Sequence, residues 1–240
     1  MDDEADGLLT TGRLATEPEP DMALVQAVRS RRTVRSYQDA PVPREQIERL
    51  LRESTHAPSA TNRRGWRFIL IEDSADLIWL HRRGGSAVLR GARQAVLVCY
   101  RGDSDNAAWR DAEQSAAAAI AYFQLLAHAH GIGSCWICHL PPRREVRAHF
   151  GIPRPYVPIA VVTLGYYEPG LRMRPRRLED TSLVCVHRWA FDDAPETFPE
   201  VLRRWIRKLL RRLYYLLPRR EWLRGWAFKY EKQFHNDRRG

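Results

Sequence analysis

Five consecutive residues, Arg31-Arg32-Thr33-Val34-Arg35, gather three guanidinium groups and a hydroxyl. Such a group can clamp a phosphate dianion through forked N–H donors and hold further positive charge beside an electron-rich ring. Some two dozen residues later, Pro58-Ser59-Ala60-Thr61-Asn62-Arg63-Arg64-Gly65-Trp66-Arg67-Phe68 reads as a turn that feeds a strand. Taken singly, each segment has an ordinary structural reading. The arginines could be a solvated helix end, Trp66 and Phe68 could be the inward positions of a half-buried strand, and Gly131 and Gly133 could serve backbone geometry.

The elements that must position these residues follow from periodicity. A helix is expected from about residue 22 to 31, with Leu24, Val25 and Val28 at helical spacing, and a second begins at Pro43 and presents Ile47, Leu50 and Leu51. Residues 66–71, 95–100, 134–138 and 157–166 are rich in β-formers and read as strands. Residues 107–130 form a long, Ala-rich helix, apolar over much of its circumference and closed by Gly131. The expected class is α+β, with helices around a central, mostly antiparallel sheet. Its expected organisation is an acidic disordered leader over 1–20, one body over 21–192 and a helical C-terminal extension over 193–240.

The two opening segments together resemble the FMN-dependent nitroreductase family, whose blocks read Arg-Arg-Ser/Thr-x-Arg and Pro-Ser-x-x-Asn-x-x-x-Trp-x-Phe. Asp111 and Gln114, which open the long helix, Gly131-Ile132-Gly133-Ser134-Cys135-Trp136-Ile137, Leu164-Gly165-Tyr166 and Arg174-Pro175-Arg176-Arg177 continue the resemblance in order, over about residues 22–185. The resemblance implies a nitroreductase-like fold and a homodimer with FMN at the interface. NADH or NADPH would be the electron donor and a small organic molecule the acceptor. It assigns Arg31, Arg32 and Thr33 to the phosphate end and ribityl chain, and Arg35 to N1 and O2 of the ring. Pro58, Ser59, Ala60 and Asn62 would come from the other subunit, the backbone of Trp136, Cys138 and His139 would face the N5 edge, and Arg174 and Arg176 would close on the phosphate. No catalytic acid, base or nucleophile is implied. The chain departs from the family at Arg63-Arg64-Gly65, where Ser, Gln and Pro are common, and at Cys138-His139, where a small or acidic pair is frequent. Both departures fall at the expected substrate mouth, and they keep open a second reading, a noncatalytic member of the fold that binds a partner or a membrane through its tail.

Cys135-Trp136-Ile137-Cys138-His139 also matches the pattern of covalent haem attachment. That chemistry accompanies export, and the first twenty residues read as acidic rather than as an export signal. A zinc site from Cys135, Cys138, Cys185 and His187 has weak support, since one Cys-x-x-Cys pair carries little weight. No metal is expected. The four cysteines read as reduced and the protein as cytoplasmic.

Of 240 residues, 44% are apolar, enough for a substantial core, and the formal charge is +10. Residues 201–240 hold 13 Lys/Arg against 3 Asp/Glu, so the other 200 hold 26 of each sign. All excess basicity lies in the extension. There Leu202, Trp205, Ile206, Leu209, Leu213 and Leu216 form one helical stripe, and Arg203, Arg204, Arg207, Lys208, Arg211 and Arg212 the opposite face, up to a break at Pro218. Trp222, Trp226, Tyr230 and Phe234 then follow at four-residue steps. Packing on the partner subunit is the favoured reading of this stripe. An anionic membrane surface comes next, and an acidic protein partner or nucleic acid follows, nucleic acid being least favoured.

Overall fold

In the computed structural model, which describes residues 22–103, 107–168, 183–188 and 197–216, four strands form one antiparallel sheet. They are β1 (Trp66–Ile71), β2 (Gln94–Arg101), β3 (Gly133–Ile137) and β4 (Tyr156–Gly165), in the order β1-β2-β4-β3. The two central strands are apolar on both faces, because helices cover both. Strand alternation sorts their side chains. Val96, Val98, Val162 and Leu164 pack towards α2 (Arg44–Ser54) and α4 (Asp111–Ala129), where they meet Ile47, Leu50 and Phe123. Leu97, Cys99 and Val161 face the other way, towards Leu77 and Leu80 of α3 (Ser74–Arg82) and Val146 of α5 (Arg143–His149).

Pro158 sits in a central strand without disrupting it. The β2–β4 register shifts between Val98 and Cys99, with Cys99 opposite Pro158, and a proline is tolerated at such a bulge because a ladder hydrogen bond is already lost there. The many alanines of α4 let it lie low on the sheet, with Ala112, Ala116, Ala119 and Ala127 buried beside Ile120 and Phe123. Its C-terminal end reverses at Gly131, whose φ of +71° favours glycine.

The strands and α2 match the sequence expectation to within a residue or two, and the α+β class stands. Other expectations need correction, among them the long helix expected over 107–130, which is a 3-10 turn over Ala107–Trp109 followed by α4 from Asp111. Pro43 is the residue before α2 rather than part of its first turn. The helix α1 is shorter, Leu24–Ser30, and buries Ala27 while Leu24, Val25 and Val28 stay exposed. The segment between Ile71 and Ala95 contains α3 and a short 3-10 turn over Ala87–Gly91, and α5 is a further helix the sequence did not announce. The C-terminal helix α6 runs Phe198–Leu216, starting earlier than the stripe suggested. The acidic leader, Arg174, Arg176 and everything after Leu216, including Pro218 and the second aromatic series, lie outside the described residues.

Candidate functional site

The Arg31–Arg35 segment leaves the end of α1 and is stitched to the start of β3 by its backbone. Thr33 bridges Ser134 in parallel fashion, and the Val34 N–H donates to the Ser134 carbonyl at 3.0 Å. Val34 is 2% exposed and turns inward, which leaves Thr33 and Arg35 facing outward. Tyr37 locks this arrangement. Its hydroxyl lies 2.8 Å from the Val34 carbonyl, to which it donates, and 2.8 Å from Thr163 Oγ1. Burial raises the Tyr37 phenol pKa well above its ordinary value, so it stays protonated. Close packing demands glycine on both neighbouring strands. A Cβ on Gly133 would sit 2.7–2.8 Å from Tyr167 and Val34, and one on Gly165 would press on the Tyr37 ring at 3.0–3.1 Å.

This corner is electropositive. Burial pushes the Cys135 thiol pKa up, and the guanidiniums of Arg35 and Arg31 oppose that shift, so both charges reach the β3 strand. Arg32 turns back on the end of α1, its Nη1 donating to the carbonyls of Arg29 at 2.7 Å and Arg31 at 3.0 Å. At the C-terminal end of α4, His128 Nε2 meets Ser30 Oγ at 2.7 Å. Burial, then the charges of Arg31 and Arg32, hold the His128 pKa below its ordinary value. At the far end of β3, Trp136 is half-buried and its Nε1 donor is enclosed without a partner among the described residues. Cys138 follows the strand on the surface, with its thiol pKa raised by partial burial. The carbonyl of half-buried His139 accepts from the Ser86 N–H at 3.2 Å.

The Pro58–Asn62 turn occupies the opposite corner. It precedes β1, the sheet edge farthest from β3, three strand spacings or about 14 Å across. It is fastened to the first turns of α4, where Ala60 N–H donates to Ser115 Oγ at 3.0 Å and Trp66 Nε1 donates to the Ser115 carbonyl at 3.0 Å. Ser59 and Ala60 are partly buried, while Pro58 and Asn62 are exposed. The backbone is strained, with Thr61, Asn62 and Arg64 at φ of 52°, 52° and 49°. Each such residue costs on the order of 1 kcal/mol unless local contacts repay it. Local contacts include the Asn62 N–H to the Ser59 carbonyl at 3.0 Å, the Thr61 hydroxyl to the Ala60 carbonyl at 2.8 Å, the Arg64 N–H to Ser59 Oγ at 3.1 Å and Arg64 Nε to Asn62 Oδ1 at 3.0 Å.

Two of the departures noted in the sequence acquire structural reasons here. A Cβ at Gly65 would lie 2.9 Å from Arg101 Cβ and 3.2 Å from the Tyr100 ring. Arg63 joins Arg101 on Asp103, at 3.0 and 2.8 Å, and the Arg101 hydrogen bond, the largest cause, holds the Asp103 pKa below its ordinary value.

Within one chain the two segments are therefore kept apart, at opposite ends of α4. Ser115 and His128 lie about 20 Å apart along its axis at the helical rise. Ser115, His128, Tyr37 and Thr163 were not singled out from the sequence. Ser115 is a polar residue inside an alanine run, a faint signal. The others are recognisable only from the packing. Among the described residues no three His, Cys, Asp or Glu side chains converge as metal ligands would. No described helix is long and apolar enough to cross a membrane.

Comparison with known proteins gives a consistent picture. A family model described as the nitroreductase family matches residues 28–83 and 75–166. A Methanothermobacter thermautotrophicus protein, provisionally named NADH dehydrogenase/NAD(P)H nitroreductase, is 31% identical over 176 residues, 70% of this chain and 88% of the relative. An NADH dehydrogenase of Thermus thermophilus is 30% identical over 175 residues, 58% of this chain and 84% of its own length. Among solved structures, an FMN-dependent nitroreductase from Clostridium difficile superimposes with a TM-score of 0.59 at 26% identity, covering 69% of this chain and 99% of that one. A provisionally named NADH dehydrogenase/NAD(P)H nitroreductase from Parabacteroides distasonis gives 0.60 at 28%, covering 69% and 98%.

Proposed function

The chain belongs to the nitroreductase family, and from that premise we propose that it is a homodimeric flavoenzyme holding FMN between its subunits and passing two electrons from NADH or NADPH to a small organic acceptor. The observation that carries this reading is the separation of the arginine segment from the Pro58–Asn62 turn, each fastened to a different end of α4. A two-fold copy whose α4 lies antiparallel alongside would bring the Ser115 end of one chain to the His128 end of the other. The crossing point falls at Ala121 and Tyr122, both exposed, Tyr122 by 43%.

The residues suit the cofactor. Arg31, Arg32 and Thr33 would hold its phosphate end, Arg32 through the guanidinium N–H groups that its bonds to the Arg29 and Arg31 carbonyls leave over, and Arg174 and Arg176 are assigned by resemblance to the same group. Arg35 lies outward beside β3 and sets a positive charge where N1 and O2 would lie, favouring the reduced ring. Pro58, Ser59, Ala60 and Asn62 from the second copy cover the ring. The backbone from Trp136 to His139 borders the N5 edge, and the enclosed Trp136 N–H offers a donor to a bound polar group. Bound there, FMN supplies the two-electron chemistry. The chain's own groups bind, orient and tune it, and none is assigned the part of acid, base or nucleophile. Side chains closing on a terminal phosphate leave little room for an adenylate, so FMN is expected rather than FAD.

Purification tests this directly. The protein should be yellow, release FMN on denaturation and run at twice the chain mass. Colourless protein that FMN does not reconstitute would overturn the reading.

A further inference from the structure

Every α6 side chain that the structure describes is exposed. Leu202 is 43% exposed, Trp205 60%, Ile206 42% and Leu209 40%, and they occupy one continuous sector of the helix. Arg203, Arg204, Arg207, Lys208, Arg211 and Arg212 fall by helical register in the complementary sector. They repeat at i and i+4 as Arg203–Arg207, Arg204–Lys208, Arg207–Arg211 and Lys208–Arg212, like-charge pairs that weaken an isolated helix. The helix has one acidic residue, Glu200, and it caps the N-terminus, accepting from the Thr197 N–H at 2.8 Å and its hydroxyl at 2.9 Å. Against six basic residues α6 itself carries that one carboxylate.

We propose that α6 lies in the surface of an anionic lipid bilayer, its Leu202-Trp205-Ile206-Leu209 sector in the headgroup–acyl boundary and its basic sector among the headgroups. Packing on a second copy, the reading favoured from sequence, accounts for the apolar sector but leaves the basic one unexplained. Residues 1–200 hold 26 charges of each sign and residues 217–240 hold 7 Lys/Arg against 3 Asp/Glu, so the chain outside α6 carries no net negative charge to set against the six cations. Nucleic acid would account for the cations and leave the apolar sector in water. A lipid surface accounts for both, because Arg and Lys at the rims of the sector can extend their stems along the acyl boundary and keep their charges among the headgroups. The helix is too polar to cross a bilayer, so it lies along it. This inference stands apart from the flavin assignment.

Sedimentation of the full chain with vesicles tests it. Binding is expected to vesicles containing about one-third phosphatidylglycerol, at least ten-fold more weakly to pure phosphatidylcholine, and to fall as salt rises through the screening range. Trp205→Glu combined with Leu209→Glu should abolish binding while native mass and bound cofactor stay unchanged. Arg203→Gln combined with Lys208→Gln should weaken it about 25-fold, roughly five-fold per charge. Three outcomes would overturn the proposal: no binding to the anionic vesicles, equal binding to both vesicle types, or loss of subunit association in the Trp205/Leu209 variant. The last would mean that the sector packs on a second copy.

Discussion

The two ends of α4 hold their segments by different means. At the His128 end the arginine segment is fixed by backbone pairing to β3 and by a partly buried tyrosine, Tyr37, packed against Gly165. That corner is rigid and positively charged. At the Ser115 end the Pro58–Asn62 turn hangs on the two polar groups of one serine, and three residues near it hold a left-handed backbone. That corner is strained and held by few contacts. A charge clamp needs rigidity, since a guanidinium misplaced by an ångström loses much of its grip, whereas a covering turn can trade rigidity for adaptability. On the proposed reading each site takes one corner of each kind.

The largest test of this contrast lies midway between the corners. Tyr122→Asp, at an exposed position, should leave the fold intact by circular dichroism but set two carboxylates face to face across the two-fold axis, at a cost of several kcal/mol. Native mass should halve and flavin should be lost from both corners together. A yellow protein of unchanged mass would remove α4 from the interface.

Next in size, Arg35→Ala at the rigid corner should make bound flavin harder to reduce by about 30 to 60 mV. That is the two-electron equivalent of about 1.5 to 3 kcal/mol for one charge-assisted contact. A variant that binds FMN with an unchanged potential would show that Arg35 does not face the ring.

At the strained corner, Ser115→Ala deletes the acceptor of the Ala60 N–H but keeps the carbonyl used by Trp66. It should cost about 1 kcal/mol in denaturant unfolding and weaken flavin binding without moving the potential. A shifted potential would mean that the two corners are not separable in this way.

The smallest effect is one of pH. His128 has a folded pKa below its unfolded value of about 6.5, so above that pH it adds no dependence. As pH falls below it the unfolded chain takes up the proton more readily and stability declines, until the folded pKa is passed. His128→Gln should flatten this part of the stability–pH profile. An identical slope in the variant would assign the decline to other groups.

The sheet was legible in the sequence because its central strands are continuous apolar runs, and α2 because Ile47, Leu50 and Leu51 mark one face. α5 was not, because seven residues with a single buried position, Val146, give periodicity nothing to repeat. α3 buries just Leu77 and Leu80, although Asp73 carries an N-cap signal, its side chain accepting from the Ala75 N–H. The apolar residues of α1 had helical spacing, but spacing does not say what covers a face, and here they are exposed. The arginine segment and the turn were both visible as motifs. Their attachment to opposite ends of one helix was not, because Ser115 and His128 act through tertiary contacts. Arg174 and Arg176 remain assignments from resemblance alone.

On the proposed reading, one half-site at each end of α4 would give the protein a genetic property. A chain damaged at the arginine corner and a chain damaged at the turn would each be inactive as homodimers, yet a mixed pair would contain one site built from two undamaged halves. Refolding the two variants together at equal amounts should recover about a quarter of the wild-type sites, since half the pairs are mixed and each restores one site of two. Two defects at the same corner should recover none, so crossing defective chains in pairs would sort any collection of mutations into two complementation groups, one for each end of a single helix.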